Sequence, residues 1–67
     1  MKPQVSEGQA VRTLREIKRP TFTIPKGAVG VVIKLTQFPN GWHPLIKFPA
    51  RKQPVSVHEK LVVSVAF

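Results

Sequence analysis

The stretch that decides the fold reads Ile24-Pro25-Lys26-Gly27-Ala28-Val29-Gly30-Val31-Val32-Ile33-Lys34-Leu35. Its first four residues predict a turn, because Gly27 adopts a positive φ without steric cost. Residues 29–35 predict a β-strand, since most of their side chains are β-branched. A strand at this place also argues against a phosphate-binding loop, because the glycine-rich phosphate loops lead into a helix.

The two faces of this strand carry different side chains, because side chains alternate along an extended chain. One face is expected to form the core, and it carries Val29, Val31, Ile33 and Leu35. The other face carries Gly30, Val32 and Lys34. The missing side chain of Gly30 leaves room for another part of the chain to pack closely there.

Four further segments predict strands, and proline and glycine lie mostly between them. They are residues 10–17, 42–48, 55–58 and 61–67. For residues 10–17 a helix is the alternative, but an isolated helix this short has little stability of its own. Residues 59–60 suit a short 3₁₀ turn before the last strand. The pattern predicts an all-β fold, a small five-stranded antiparallel barrel or sandwich. It forms one domain over residues 1–67, with 1–6 as a loose lead-in.

Two turn and strand details carry further expectations. Asn40-Gly41 predicts a turn at the end of a loop over residues 36–41. Pro44 has no N–H to donate to a neighbouring strand, so the strand over residues 42–48 is expected at a sheet edge or bulged at that position.

The charge balance is the strongest feature of the composition. Among 67 residues, eleven Lys and Arg stand against three glutamates and no aspartate, which gives a net charge of +8. Such an excess favours polyanions or acidic proteins as partners, although a basic surface can also be solvated without a dedicated partner. The absence of cysteine excludes disulfides, thiolate metal sites and thiol nucleophiles.

Acid–base and metal chemistry have few candidate residues in this chain. A Ser-His-Asp arrangement lacks its third member, because aspartate is absent. The two histidines, His43 and His58, are too few for a metal site without neighbouring carboxylates. If residues 42–48 and 55–58 pair through a loop at Arg51, we expect the histidines to lie well apart. The sequence therefore predicts no enzyme, no metal and no cofactor.

Membrane and export signals are also weak. No apolar run reaches the roughly 18 residues of a membrane-spanning helix. The first residues, Met1-Lys2-Pro3-Gln4, lack the hydrophobic segment of a signal peptide. We therefore expect a cytoplasmic protein without a membrane partner.

The candidate binding residues are basic side chains in two sets. The first set lies along the first strand and its loop: Arg12, Arg15, Lys18 and Arg19. The second set lies on the middle strands and their hairpin: Lys34, Lys47, Arg51 and Lys52. Cations of this kind bind phosphate and carboxylate groups. In a domain this small, the two sets are close enough to merge into one face.

The aromatic side chains divide between core and surface. Trp42 and Phe48 are expected in the core, with Phe22 and Phe38 capping the ends of the barrel. Phe38, which precedes Pro39, is the aromatic residue best suited to a binding site, because an exposed ring can stack on an unpaired base.

Four segments together resemble the SH3-like barrel of small prokaryotic accessory proteins. They are Glu7-Gly8-Gln9-Ala10-Val11-Arg12, Lys26-Gly27-Ala28-Val29-Gly30-Val31-Val32, Pro44-Leu45-Ile46-Lys47-Phe48 and Val57-His58-Glu59-Lys60-Leu61. The resemblance extends over most of the chain and implies a five-stranded SH3-like barrel. It also suggests two partner classes. KOW-type domains of ribosomal and transcription proteins bind nucleic acid. Photosystem and ferredoxin-linked accessory subunits dock an acidic redox protein through a basic surface.

Charge and fold class together predict a non-enzymatic basic binding module. Nucleic acid is the first expected partner, bound through a positively charged face. The alternative is an accessory subunit that docks an acidic protein. A third possibility is a small structural protein that self-associates, because residues 61–67 carry apolar side chains on both faces and suit pairing with a second copy.

Overall fold

The computed structural model describes residues 4–65. Its strands are β1 (Ala10–Thr13), β2 (Ile17–Lys18), β3 (Thr23–Ile24), β4 (Val29–Phe38), β5 (Gly41–Lys47), β6 (Val55–Ser56) and β7 (Val62–Ser64), with a 3₁₀ turn at Glu59–Leu61 before β7. Antiparallel pairing gives a five-stranded sheet in the order β6-β5-β4-β1-β7, and β2 pairs with β3 in a second sheet. The all-β class and the 3₁₀ turn are confirmed. The described residues contain no helix that is long and apolar enough to cross a membrane.

The segment expected to form one strand over residues 10–17 is divided between the two sheets. β1 pairs with β4 on one side and with β7 on the other. The chain then leaves the main sheet, and Ile17 pairs with Ile24 in the small sheet. The backbone is extended in both parts, so the alternative of a helix over these residues is excluded.

The turn before β4 is held by the buried side chain of Thr13. Its hydroxyl donates to the carbonyl of Pro25 at 2.8 Å and accepts the N–H of Ala28 at 3.0 Å. The N–H of Gly27 donates to the carbonyl of Thr13, and Gly27 has the expected positive φ of +83°. A buried hydroxyl needs hydrogen-bond partners, and these bonds supply them while fixing β1 against the start of β4.

The core face of β4 is opposite to the predicted one. Val32 is 0% exposed and Gly30 is buried, whereas Val29, Val31 and Ile33 are 45%, 43% and 48% exposed. The prediction that placed these three side chains in the core was therefore wrong. A run of branched apolar residues does not distinguish the two faces of a strand.

A β-bulge explains why Lys34 and Val32, which were predicted on the same face of β4, lie on opposite faces. The pairing of β4 with β5 shifts register between Val32 and Lys34, so Ile33 is an extra residue on β4. Side chains two positions apart normally share a face of a strand. The extra residue instead turns Lys34 to the outer side of the sheet, opposite to the buried Val32. Leu35 then points inward and is half-buried, so it is the one member of the predicted core set that faces the core.

The β4–β5 hairpin is tighter than expected. Pairing continues to Phe38 opposite Gly41, so only Pro39 and Asn40 form the turn. The turn predicted from Asn40-Gly41 is confirmed in place. Residues 36–38, which were expected in a loop, are the last three residues of β4 instead.

Pro44 is accommodated inside the sheet. β5 lies between β4 and β6, and the register shift is on β4, so the expectation of an edge strand or a bulge at Pro44 was wrong. The carbonyl of Pro44 accepts the N–H of Val57 at 3.2 Å. Because the N and C=O of one strand residue point to the same side, the missing donor faces the chain just beyond β6, where the short strand has already ended.

The core joins the inner face of the main sheet to the small sheet. Its buried apolar side chains are Val5, Val11, Ile17, Ile24, Val32, Ile46, Phe48, Val55, Val57 and Val62. Val5 belongs to the expected loose lead-in, yet it is 2% exposed. Residues 1–3 of that lead-in and the last two residues of the predicted strand 61–67 lie outside the described residues.

Candidate binding surface

The side of the main sheet that faces away from the core carries a row of exposed apolar side chains. Residues paired across antiparallel strands share a face, and the register aligns Val29 with Arg12 and Arg12 with Val63. The next rows contain Ala10, Val31 and Lys47, and then Lys34 and Leu45. We call this surface the outer face; with Ile33 of the bulge it comprises Ala10, Arg12, Val29, Val31, Ile33, Lys34, Leu45, Lys47 and Val63.

The apolar part of the outer face is a stripe along β4. Val29, Val31 and Ile33, which we call the apolar stripe, follow one another on the same strand and are each more than 40% exposed. Val63 on β7 adds a fourth exposed apolar side chain. Single exposed apolar residues are common on soluble proteins, but a contiguous set indicates an interaction surface.

Two cations of the outer face are available to a partner. Arg12 and Lys34 are exposed, and within residues 4–65 the sole ion pair joins Lys18 to Glu16. The carboxylate of Glu7 lies beside β4, where it accepts the N–H of Leu35 at 3.4 Å. Cationic side chains at both ends of an apolar stripe give this face a positive rim.

Lys47 has a different environment from Arg12 and Lys34. Its Nζ donates to the carbonyls of Phe48 and Arg51, so the side chain bends towards the turn that follows β5. These bonds hold the turn in place. Lys47 thus contributes positive charge to the outer face, but its ammonium group is already hydrogen-bonded.

The other members of the first basic set lie on β2 or in the loops beside it. Lys18 pairs with Glu16 at 3.6 Å, and both side chains are more than half exposed. Arg19 donates to the carbonyls of Lys18 and Ser56, at 3.3 and 3.1 Å, and so ties the β2–β3 hairpin to β6. Arg15 is exposed. Of these three cations, Arg19 has the clearest structural contacts.

In the loop between β5 and β6, Arg51 is partly buried and Lys52 is exposed. The guanidinium carbon of Arg51 lies 3.8 Å from the ring centroid of Phe22, which is a cation–π contact. The two predicted basic sets therefore meet in part. Arg12 joins Lys34 and Lys47 on the outer face, whereas Lys18 lies on β2 and the remaining cations lie in loops.

Three rings meet at the tip of the β4–β5 hairpin. The ring centroids of Phe38 and His43 are 4.6 Å apart, and those of His43 and His58 are 4.9 Å apart. The expectation that the two histidines lie well apart was wrong. The β5–β6 loop is centred on Ala50-Arg51, and residues at equal distance from that centre face each other. The register shows the same relation, because Leu45 pairs with Ser56.

His58 connects the hairpin tip to the 3₁₀ turn. Its Nε2 lies 2.8 Å from the carbonyl oxygen of Asn40, and its Nδ1 accepts the N–H of Lys60 at 3.1 Å. Both bonds are made when the proton is on Nε2 and Nδ1 keeps its lone pair. Among the described residues, no group of three His, Cys, Asp or Glu side chains is placed to hold a metal ion.

Replacing His58 with alanine is expected to lower the free energy of unfolding by about 1 kcal/mol, the usual cost of removing a helix cap. The loss follows because Lys60 and Asn40 both lose their side-chain partner. Urea denaturation measures the change. His58→Asn keeps a capping side chain and is expected to lose less stability, and equal losses in the two variants would contradict the capping role.

A pocket opens next to the apolar stripe, between the turn after β5 and the segment before β4. Its volume is about 210 Å³, and its walls include Pro25, Ala28 and Val29 on one side and Phe48 and Pro49 on the other. Sequence reasoning missed this pocket, because its walls come from distant parts of the chain. A usable signal was the pair of apolar-proline steps, Ile24-Pro25 and Phe48-Pro49.

Comparison of the chain with protein-family models, with curated proteins and with solved structures gives no match. The resemblance to SH3-like barrels stays a prediction. The function is therefore inferred from the chemistry of the surface.

Proposed function

We propose that the protein is a non-enzymatic docking module that binds an acidic protein partner through its outer face. The observation that carries the proposal is the apolar stripe of β4, flanked by the exposed cations Arg12 and Lys34. The proposal keeps the basic binding module predicted from the charge and prefers the second of its two predicted partner classes.

The apolar stripe is what favours a protein over a nucleic acid. Removing apolar surface from water is favourable by about 25 cal/mol per Å², and a partner gains this free energy only with apolar groups of its own. Protein interfaces combine an apolar centre with a polar rim. A segment whose apolar side chains are flanked by Asp or Glu matches the outer face, with its carboxylates placed against Arg12 and Lys34.

A second copy of the chain fits the outer face poorly. Each chain has a net charge of +8, and two outer faces packed together would bring like charges close to one another. Self-association through the last strand would use a different surface. β7 is at the edge of the main sheet, so its pairing with a second copy stays a prediction that size-exclusion chromatography tests.

Nucleic acid is the second candidate partner. Exposed loop cations such as Arg15 and Lys52, together with the 45% exposed ring of Phe38, favour it. Phosphates bind cations, and unpaired bases stack on aromatic rings. The valine and isoleucine side chains of the outer face provide neither contact, which is why we place nucleic acid second.

We also infer that the strands form an SH3-like barrel. Five antiparallel strands with a 3₁₀ turn before the last of them support this inference. A core shared between the main and small sheets is a second supporting feature.

Charge reversal on the outer face is expected to weaken binding of an acidic peptide. The probe is a fluorescein-labelled amphipathic helix with Leu on one face and Glu on the others, followed by fluorescence anisotropy at low salt. We expect Arg12→Glu combined with Lys34→Glu to raise the Kd about tenfold, because two attractive contacts become repulsive. Arg15→Glu combined with Lys60→Glu makes the same change in net charge at exposed positions that lie neither on the outer face nor next to a residue of the pocket lining, and is expected to raise the Kd less than about threefold.

Single-stranded DNA and RNA oligonucleotides are titrated in parallel under the same conditions. Binding of the oligonucleotides without binding of the peptide would replace the proposal with the nucleic-acid candidate. An unchanged peptide Kd in the Arg12→Glu, Lys34→Glu variant would show that the outer face is not the site.

A further inference from the structure

The pocket beside β4 is continuous with the apolar stripe. Val29 lines the pocket and is also the first residue of the stripe. Two prolines, Pro25 and Pro49, stand on opposite walls, and Phe48 adds an aromatic surface. Proline restricts the backbone on both walls. The pocket is therefore formed by restrained segments and opens beside the proposed docking surface.

The size and lining of the pocket select one kind of occupant. Small-molecule sites usually enclose about 300–1,000 Å³, whereas this pocket has a volume of about 210 Å³. An apolar cavity of about 150 Å³ can hold a benzene ring. Polar groups are few, because Thr23 and Arg51 are the sole polar residues in its lining. The pocket thus matches a single bulky apolar side chain.

Arg51 adds a cation to this apolar lining. Its guanidinium group packs on the ring of Phe22, and among the described residues no carboxylate pairs with it. A carboxylate beside the bound apolar side chain would pair with the guanidinium group, since arginine binds carboxylates through several N–H donors. This charge again favours an acidic segment.

We propose that the pocket is the anchor site of the docking surface, and that it holds one bulky apolar side chain, phenylalanine or leucine, of the acidic partner segment. The inference rests on the proposed function for the class of partner. The rest of the segment lies along the outer face, which the pocket adjoins through Val29. Anchors of this kind, buried in a pocket, supply most of the affinity in many protein interfaces.

The test uses two acidic peptides that differ at one position. Both are the amphipathic glutamate–leucine helix described above, extended by an acidic terminal segment that carries either Phe or Ala. We expect the Phe peptide to bind about tenfold more tightly. In ¹⁵N–¹H NMR spectra, we expect the backbone amides of Ala28 and Ala50 to shift with the Phe peptide and much less with the Ala peptide.

A variant that fills the pocket provides the specific control. Ala50 lines the pocket from an exposed turn position, so Ala50→Phe is expected to abolish the preference for the Phe peptide over the Ala peptide. Gln53→Phe adds the same ring at an exposed position of the same loop, outside the pocket lining. It is expected to keep the preference. Urea denaturation of both variants verifies that they are folded.

The possible outcomes distinguish a failure of the anchor-pocket proposal from a failure of the docking proposal. Equal binding of the two peptides, with NMR shifts confined to the outer face, would overturn the anchor pocket and leave the docking proposal in place. A preference for Phe that survives in Ala50→Phe would also overturn the pocket. Binding of neither peptide would overturn both proposals.

Discussion

Replacing Ile46 with alanine is expected to destabilise the protein by about 2–5 kcal/mol, the range for removing a large aliphatic side chain from a core. Ile46 is 0% exposed and lies opposite Val32 on β4 and Val55 on β6. Truncation would leave a cavity at the centre of the main sheet. A domain of this length has a total stability of about 3–10 kcal/mol, so the substitution is expected to remove a large fraction of it.

Ile33→Ala is the matched control, because it makes the same chemical change at a position that is 48% exposed. Its expected effect is within about 0.5 kcal/mol. Urea denaturation followed by the fluorescence of Trp42 measures both variants, and an unchanged m-value shows that the comparison is one of stability. If the two substitutions cost the same, the inner and outer faces of the main sheet have been assigned incorrectly.

Replacing Gly30 with alanine is expected to cost about 1–3 kcal/mol, the range for overpacking a well-filled core. An added Cβ would lie 2.6 Å from Cγ2 of Ile46, 2.8 Å from the carbonyl oxygen of Lys47 and 3.0 Å from Cδ1 of Phe48. The carbonyl oxygen belongs to the backbone of β5, so it cannot move away without disturbing the β4–β5 pairing. Close packing at Gly30, expected from the sequence, is confirmed by these distances.

Gly27→Ala is the comparison for this second prediction. Gly27 has a φ of +83°, but no atom lies within 4 Å of the Cβ that alanine would add. Gly27→Ala is therefore expected to lose roughly 1 kcal/mol of stability, which is the cost of placing alanine in a left-handed conformation. The double variant Gly30→Ala with Ile46→Ala is expected to lose less stability than the sum of the single changes, because the nearest clashing methyl group is gone. Strict additivity would contradict the proposed clash.

Local features of the chain were predictable because they depend on a few neighbouring residues. The positive φ at Gly27, the turn at Asn40-Gly41 and the 3₁₀ turn at Glu59–Leu61 all follow from turn-forming or capping residues at those positions. The nearness of His43 and His58 was also available in principle, since it follows from the symmetry of the hairpin about its loop.

The binding surface was predictable only in part. Arg12 and Lys34 were named from their charge, and the register places both on the outer face. The apolar stripe was assigned to the core instead, because one extra residue at Ile33 reverses the alternation along β4. The contact of Arg51 with Phe22 depends on how two loops meet, and no local pattern reports it.

The sequence by itself determined the all-β class, the positive character of the surface and the places where the chain turns. These properties depend on side-chain branching, on the count of charges and on glycine and proline. Only the tertiary structure decided which side of β4 is buried and which residues enclose the pocket. Both depend on register and on contacts between distant segments. A strand rich in valine can bury either of its faces, so its own sequence does not determine which face packs against the core.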